Sequence, residues 1–463
     1  MKPVVEVTLR PAGTFEKFEK LHVRVVVRGF AYEAGDELFC FHRETVTIPF
    51  CPLHSAVVVS DPAGAMPFTT SQSEVNFQIK EHFQAARASE GDLTIAYTVA
   101  PRIQPEGYRS SPYFDLVAEE GGVNGAGLTF LPMLPFDACV FRLRWDLSQM
   151  PEGCRGIWSL GEGDVEAEIA ARQICFSYYA CGDIKSFEQD NYGIYWFADP
   201  PFDVQQLAES IGKLFREMSR IFEDEGLPYK IFLRRNAFSG SGGTAACRAY
   251  LMGYSPDLNP TATSLTSLLA HEMVHNWPHI EDEPYGTGNW YSEGTAQFYS
   301  VLLPSRLGLV DLEYTRAAVQ KAADDYYANP ARYLSFQEAA KLFWIDRNTQ
   351  RIPYGRGFIY LANLDAAIRR ASDGAHSLDD LVRDILRLQR QGEKVDNEGF
   401  LELASAWLGR DARPEWVQMV SGELLAPDPD MLDGLFSIEE TEIELEGFEE
   451  PQKSYLWRIR GKV

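Results

Sequence analysis

The sequence predicts an α+β, multidomain protein in three parts: a β-rich N-terminal sandwich or saddle, a central α/β unit, and a mainly helical C-terminal region. Three observations carry this expectation. Before about residue 168, apolar and polar residues alternate in short stretches separated by Gly and Pro, the period of half-buried strands. From 169 to 310, strand-like runs alternate with helix-length amphipathic segments. From 311 to 463 the helical period dominates, ending in a short acidic segment. A chain of 463 residues is long enough for about three domains of ordinary size.

In chain order, strands are expected at 5–10, 22–27, 45–48 and 140–145, followed by a buried strand at 174–180. An amphipathic helix over 204–222 leads to a strand at 229–233 and then to a Gly-rich segment at 239–247. The run 264–270 places Leu265, Leu268 and Leu269 at spacings that bury one helix face, and Pro278 stops that helix. Further helices are expected at 315–327, 358–371 and 378–389. Ser377 caps the last of these, with Asp379 and Asp380 favoured in its first turn by the helix dipole. The acidic segment 439–446 alternates like an edge strand.

Composition narrows the class of function. Apolar residues at 45% and aromatics at 13% argue against extended disorder. A net charge of −24 disfavours nucleic acid and anionic membranes as partners. No apolar run approaches a membrane span and the N-terminal residues lack a secretory core, so a cytoplasmic location is expected. The seven cysteines are odd in number, scattered and without CxxC spacing, which reads as reduced thiols rather than a disulfide framework or zinc knuckle. Nothing in the pattern specifies an oligomer.

The chemistry is concentrated in His271-Glu272-Met273-Val274-His275, an HExxH motif. Two histidines four apart stand one helical turn apart on one face, so both imidazoles can reach one metal ion. Glu272 then lies beside the metal rather than on it, placed to take a proton from water. With eight His in the chain, chance matches to this motif occur, so a third ligand is the necessary test. Glu293, eighteen positions after His275 at the start of another helical segment, completes a His₂Glu set, the donors of catalytic rather than structural zinc. The alternatives are weaker. Pro278 and Glu281 occupy the positions where a metzincin has Gly and His. His279 lies beyond the helix-ending proline, and Asp282 sits in an acidic stretch that reads as a solvated loop.

The stretches 271–277 (HEMVHNW) and 289–299 (NWYSEGTAQFY) resemble the glycyl aminopeptidase family of gluzincin zinc metallopeptidases, distant relatives of aminopeptidase N and leukotriene hydrolase. A third stretch strengthens the resemblance: Tyr354, Gly357 three residues on, then an LDxxIR helix from Leu364 and the SLDD turn at Ser377. The resemblance spans roughly residues 170 to 390. It implies a thermolysin-like α/β catalytic domain, zinc as cofactor, a peptide substrate with a small N-terminal residue, and Tyr354 as the phenol that stabilises the oxyanion.

The chain departs from the family in two places. The related Gly-rich segment carries a glutamate that grips the substrate's free amine; here Gly242 and Gly243 persist, suited to hydrogen-bonding a peptide backbone, and the acid does not. Asp346, or an acid from 281–283, is the substitute on offer. After the helical part only about fifty residues remain, too few for the PDZ-like domain with which the family usually ends. Three functions fit: a zinc aminopeptidase, a zinc endopeptidase or other amide hydrolase with the same core, and a non-catalytic metal-binding scaffold. Glu272 and Tyr354, neither of them needed for zinc ligation alone, argue against the third.

Overall fold

The computed structural model describes residues 2–46, 48–75, 78–108, 111–224, 226–255, 257, 260–282 and 286–460. Contacts divide the chain into two compact units, Met1–Ala208 with Gly226–Thr261, and Glu209–Glu225 with Ala262–Val463. The division does not run along chain boundaries at 168 and 310. The strand Tyr229–Arg235 pairs in parallel with Tyr192–Trp196 and Ala249–Tyr254, which keeps these segments in the first unit. The segment with HExxH and Glu293 is helical and packs on later helices, which places it in the second.

In the first unit, a seven-stranded sheet runs in the order Val165–Ala170, Ala138–Trp145, Val4–Gly13, Phe18–Arg28, Leu93–Val99, Val58–Asp61, Gly64–Ala65. Val5, Val7 and Leu9 alternate into the core opposite Val27, Val25 and Val23, as the period of two requires. A four-stranded sheet follows the order Ile48–Pro49, Glu37–Thr45, Gln78–Ala85, Phe68–Val75. The strand expected at 45–48 is instead a reversal: Thr45 ends one strand, Val46 is left-handed at φ 52°, and Ile48 begins the next. Residue 47 lies outside the described residues. The strand expected from 174 starts late, because residues Ala171–Ile174 form a 3₁₀ turn and extension begins only at Tyr178. All seven cysteines are free, yet pairing of adjacent strands brings the Cys154 and Cys181 sulfurs within 3.4 Å, a proximity that spacing along the chain hides.

A mixed five-stranded sheet orders Lys185–Gln189, Tyr192–Trp196, Tyr229–Arg235, Ala249–Tyr254 and, at its edge, Gly242–Ala246. Helix α1 (Val204–Ile221) leaves this unit, and its residues from Glu209 belong with the second.

The second unit holds α2 (Ala262–Val274), α3 (Asn289–Arg306), α4 (Leu312–Tyr327), α5 (Phe336–Leu342), α6 (Arg347–Ala371), α7 (Leu378–Arg390), α8 (Asn397–Leu408) and α9 (Arg413–Ser421). The acidic segment forms the strand Phe436–Ile443, paired with Gln452–Ile459 in a hairpin. Helix α6 begins eleven residues before the expected 358. Pro353, Gly355 and Gly357 are poor helix formers, and packing overrides them. A Cβ on Gly355 would meet Ala322 O and Tyr326 N of α4 at 2.8 Å; one on Gly357 would meet Trp290 O of α3 at 2.2 Å and the Gly294 Cα at 3.0 Å. The absence of side chains lets α6 pass between α3 and α4 at backbone contact. Buried Arg356 ties this crossing down by donating to the carbonyls of Arg332 (2.6 Å), Leu334 (2.8 Å) and Met419 (3.3 Å). The LDxxIR and SLDD residues link α6 to α7: Asp365 accepts from Leu378 N and Arg369 Nε, and Ser377 caps α7.

Candidate metal centre and active site

Leu265, Leu269 and Met273 bury the core face of α2, which turns His271 and Glu272 toward a different side. The helix ends at Val274, so His275 sits in its closing turn rather than within a helix running to Pro278. Trp277 anchors the chain just past this turn. Its ring stacks near Phe215 and Phe222 at 6.2 and 5.1 Å, and its indole N–H donates to Asp224.

Across from α2, Glu293 occupies the second turn of α3. One donor atom each of His271, His275 and Glu293 lie within 4.8 Å of one another. Glu293 Oε2 is 3.2 Å from His271 Nε2 and 3.5 Å from His275 Nε2. Zinc with bonds of about 2.0–2.1 Å in a tetrahedron requires ligand edges of roughly 3.3 Å, so these separations fit that ion. The donor set fits it as well: two imidazoles and a carboxylate are the ligands of open, catalytic zinc sites. Ser292 Oγ, 3.4 Å from His275 Nδ1, steadies the far nitrogen of one imidazole, a residue that sequence reasoning passed over.

The electrostatics follow from burial and proximity. Burial alone would lower His275, but the Glu293 carboxylate holds its imidazole up at about 9. Burial likewise works to raise Glu293, and His275 and His271 hold it well below the usual carboxylate range instead. A divalent cation held among these donors would take the place of the proton they share. Burial pushes the Glu272 carboxyl up, with His271 and His275 opposing and Glu293 adding to the shift.

Tyr354 lies on α6, three residues from the Gly357–Gly294 contact, and Gly294 is the neighbour of Glu293. Its ring is parallel to that of His271, 6° between planes and 5.5 Å between centroids. Burial, then the charges of Glu293 and Glu272, push the phenol well above its ordinary range, so it stays protonated and able to donate. The glycines that permit this approach were visible in the sequence only as part of the family pattern.

The remaining candidates have other partners. Asp346 caps α6, accepting from Asn348 N at 3.0 Å, two helical turns or about 12 Å along the axis from Tyr354. His279 Nδ1 turns to Trp277 O at 2.9 Å. Asp282 accepts from Gly286 N (3.0 Å) and Gly288 N (2.6 Å), stapling the approach to α3; residue 283 lies outside the described residues. Gly242 and Gly243 stand in the first unit's edge strand, paired with Gly253 and Met252. A Cβ on Gly243 would lie 2.2 Å from the Tyr250 ring, so packing alone requires glycine there.

No family profile and no curated protein matches this sequence. Solved structures do match in fold. An aminopeptidase N family protein from Idiomarina loihiensis superposes with a TM-score of 0.71 at 13% identity, over 95% of this chain and 79% of that one. An M1 zinc metallopeptidase from Deinococcus radiodurans, crystallised with a Tyr-Ser-Ala substrate, gives 0.55 at 16% identity, over 92% and 94%. Leukotriene A4 hydrolase from Saccharomyces cerevisiae gives 0.57 at 14%, over 94% and 70%. At these identities the likeness establishes a shared fold, with an N-terminal β region and a C-terminal helical region.

Proposed function

We propose that this protein is a zinc-dependent peptidase, most simply an aminopeptidase that removes small N-terminal residues. The observation that carries the reading is the convergence of His271, His275 and Glu293 on one point, with Glu272 beside them and the Tyr354 ring against His271. These three side chains would hold zinc, which would supply Lewis acidity and lower the pKa of a bound water toward neutrality. Glu272 takes the proton of the attacking water and, once protonated, returns it to the departing amine. Tyr354 donates to the oxyanion that forms on the scissile carbonyl. The shared fold with an aminopeptidase N family protein and with a metallopeptidase bound to a tripeptide supports a peptide substrate.

The endopeptidase reading has one departure from the resembled family in its favour: the Gly242–Ala246 strand carries no carboxylate. Glycyl and alanyl peptides, each with a free and an acetylated N-terminus, separate the two. Cleavage confined to free amines and abolished by a chelator is the expected result. Cleavage of the acetylated peptides establishes an endopeptidase, and no cleavage of either by zinc-loaded protein overturns the peptidase reading for such substrates.

A further inference from the structure

The first unit carries a second cluster of metal-donor side chains, assembled by an irregularity of its four-stranded sheet. Along a regular strand, residues 37 and 40 point to opposite faces, because their separation is odd. The pairing of Glu37–Thr45 with Gln78–Ala85 breaks that rule. Glu37 faces Gln84, Phe39 faces Phe83 and Cys40 faces His82, so three steps on one strand span two on the other. Leu38 is the extra residue of a β-bulge. Glu37, Cys40 and His82 thereby share one face, while Phe39, Phe41 and Phe83 pack together on the other, 4.4–5.3 Å between ring centroids.

One donor atom each of Glu37, Cys40 and His82 lie within 4.8 Å of one another. His82 is already oriented: Nε2 is 2.7 Å from Ser73 Oγ on the Phe68–Val75 strand, and Nδ1 meets Glu37 Oε2. An imidazole held through its far nitrogen is the usual arrangement of a metal ligand. His42, two residues beyond Cys40 and on its face, is 2% exposed, and neither ring nitrogen has a hydrogen-bond partner among the described residues. Its ring packs edge-on against Phe176 at 6.1 Å, so it flanks the cluster and is not one of the three donors that meet.

We propose that Glu37, Cys40 and His82 form a second metal site for a zinc-type divalent cation. Thiol sulfur with imidazole nitrogen selects zinc or cobalt over magnesium and calcium, which require oxygen ligands. Tetrahedral zinc needs donor edges of roughly 3.3–3.7 Å, so side-chain rotations of about an ångström from the 4.8 Å limit close the site. The bound ion clasps the bulged strand to its neighbour. It is independent of the peptidase reading, since none of its ligands serves that centre.

The full-length protein, stripped of metal and reloaded with zinc, is expected to hold two ions per chain; His271→Ala and Cys40→Ser should each hold one, and the double variant none. Loading with cobalt identifies the sulfur. The wild type and His271→Ala should show a sulfur-to-cobalt charge-transfer band in the near ultraviolet, absent from Cys40→Ser, because the His271 centre contains no sulfur. Cys40→Ser should keep wild-type peptidase activity within about twofold. If Cys40→Ser does not fold, Glu37→Gln and His82→Gln serve instead, each expected to lose one ion. A wild-type stoichiometry of one ion, lost in His271→Ala, overturns the proposal, as does a cobalt protein without the sulfur band.

Discussion

His271 and His275 stand one turn apart on α2 and meet Glu293 where α3 passes by, whereas Glu37 and Cys40 share a face only because Leu38 bulges from its strand, and His82 comes from the strand beside them. Both clusters combine imidazole with carboxylate. Their surroundings differ. The helical cluster has a carboxyl, Glu272, and a protonated phenol, Tyr354, at its margin, both of them raised by burial. The strand cluster has a serine hydroxyl and a buried thiol. A metal held by the first faces groups able to move protons and to donate to an oxyanion. A metal held by the second has a serine hydroxyl at its margin and no carboxyl–phenol pair of this kind among the described residues, which fits the structural role proposed for it. The lesson is that donor sets alone do not distinguish reactive from structural metal; the side chains that are not ligands do.

The sharpest way to break this contrast is Glu272→Gln, which should leave zinc content unchanged and cut peptide hydrolysis by roughly 10²- to 10⁴-fold or more. Metal analysis alongside turnover checks it; near-normal turnover would remove Glu272 from the reaction. Tyr354→Phe should lower kcat by roughly 10²- to 10³-fold with little change in KM or metal content. An unchanged kcat would leave Tyr354 as a packing residue against His271. Gly357→Ala probes how the helical cluster is held. Its new methyl group would press on Trp290 O of α3, which should cost about 1–3 kcal/mol in denaturant titration and lower kcat as Glu293 and Tyr354 move apart. Full activity and stability in that variant would show that α3 and α6 tolerate separation. The smallest effect is expected from Ser73→Ala: about tenfold weaker cobalt binding at the strand cluster, read by the sulfur band, with peptidase activity unchanged.

Helical spacing makes His271, His275 and the helix under them readable directly, because a period of 3.6 is a local property of the chain. Glu293 was accessible one step later, by asking what could complete the set. Tyr354 stood out only through the family resemblance, since one tyrosine among 21 carries no pattern of its own. The hidden features depend on partners distant in sequence. The start of α6 at Arg347 was obscured by Pro353 and two glycines, which are tolerated because α3 and α4 press on them. The reversal at Val46 and the bulge at Leu38 depend on strand register, which no single strand encodes. Arg356 resembles any surface arginine in the sequence, and its burial among three carbonyls appears only once α6, α9 and the connection from α4 to α5 are assembled.

Gly355 and Gly357 are about 200° apart around α6, one turned to α4 and the other to α3. This has a genetic consequence. Inserting a single codon between 354 and 357 would swing Tyr354 about 100° relative to Gly357, so that no rotation of the helix could satisfy both. The block 354–357 must therefore be inherited whole. The connection from α2 to α3 has no helical phase to keep, and loop length alters closure entropy only slowly. Length variation among descendants of this gene should collect there and spare α6.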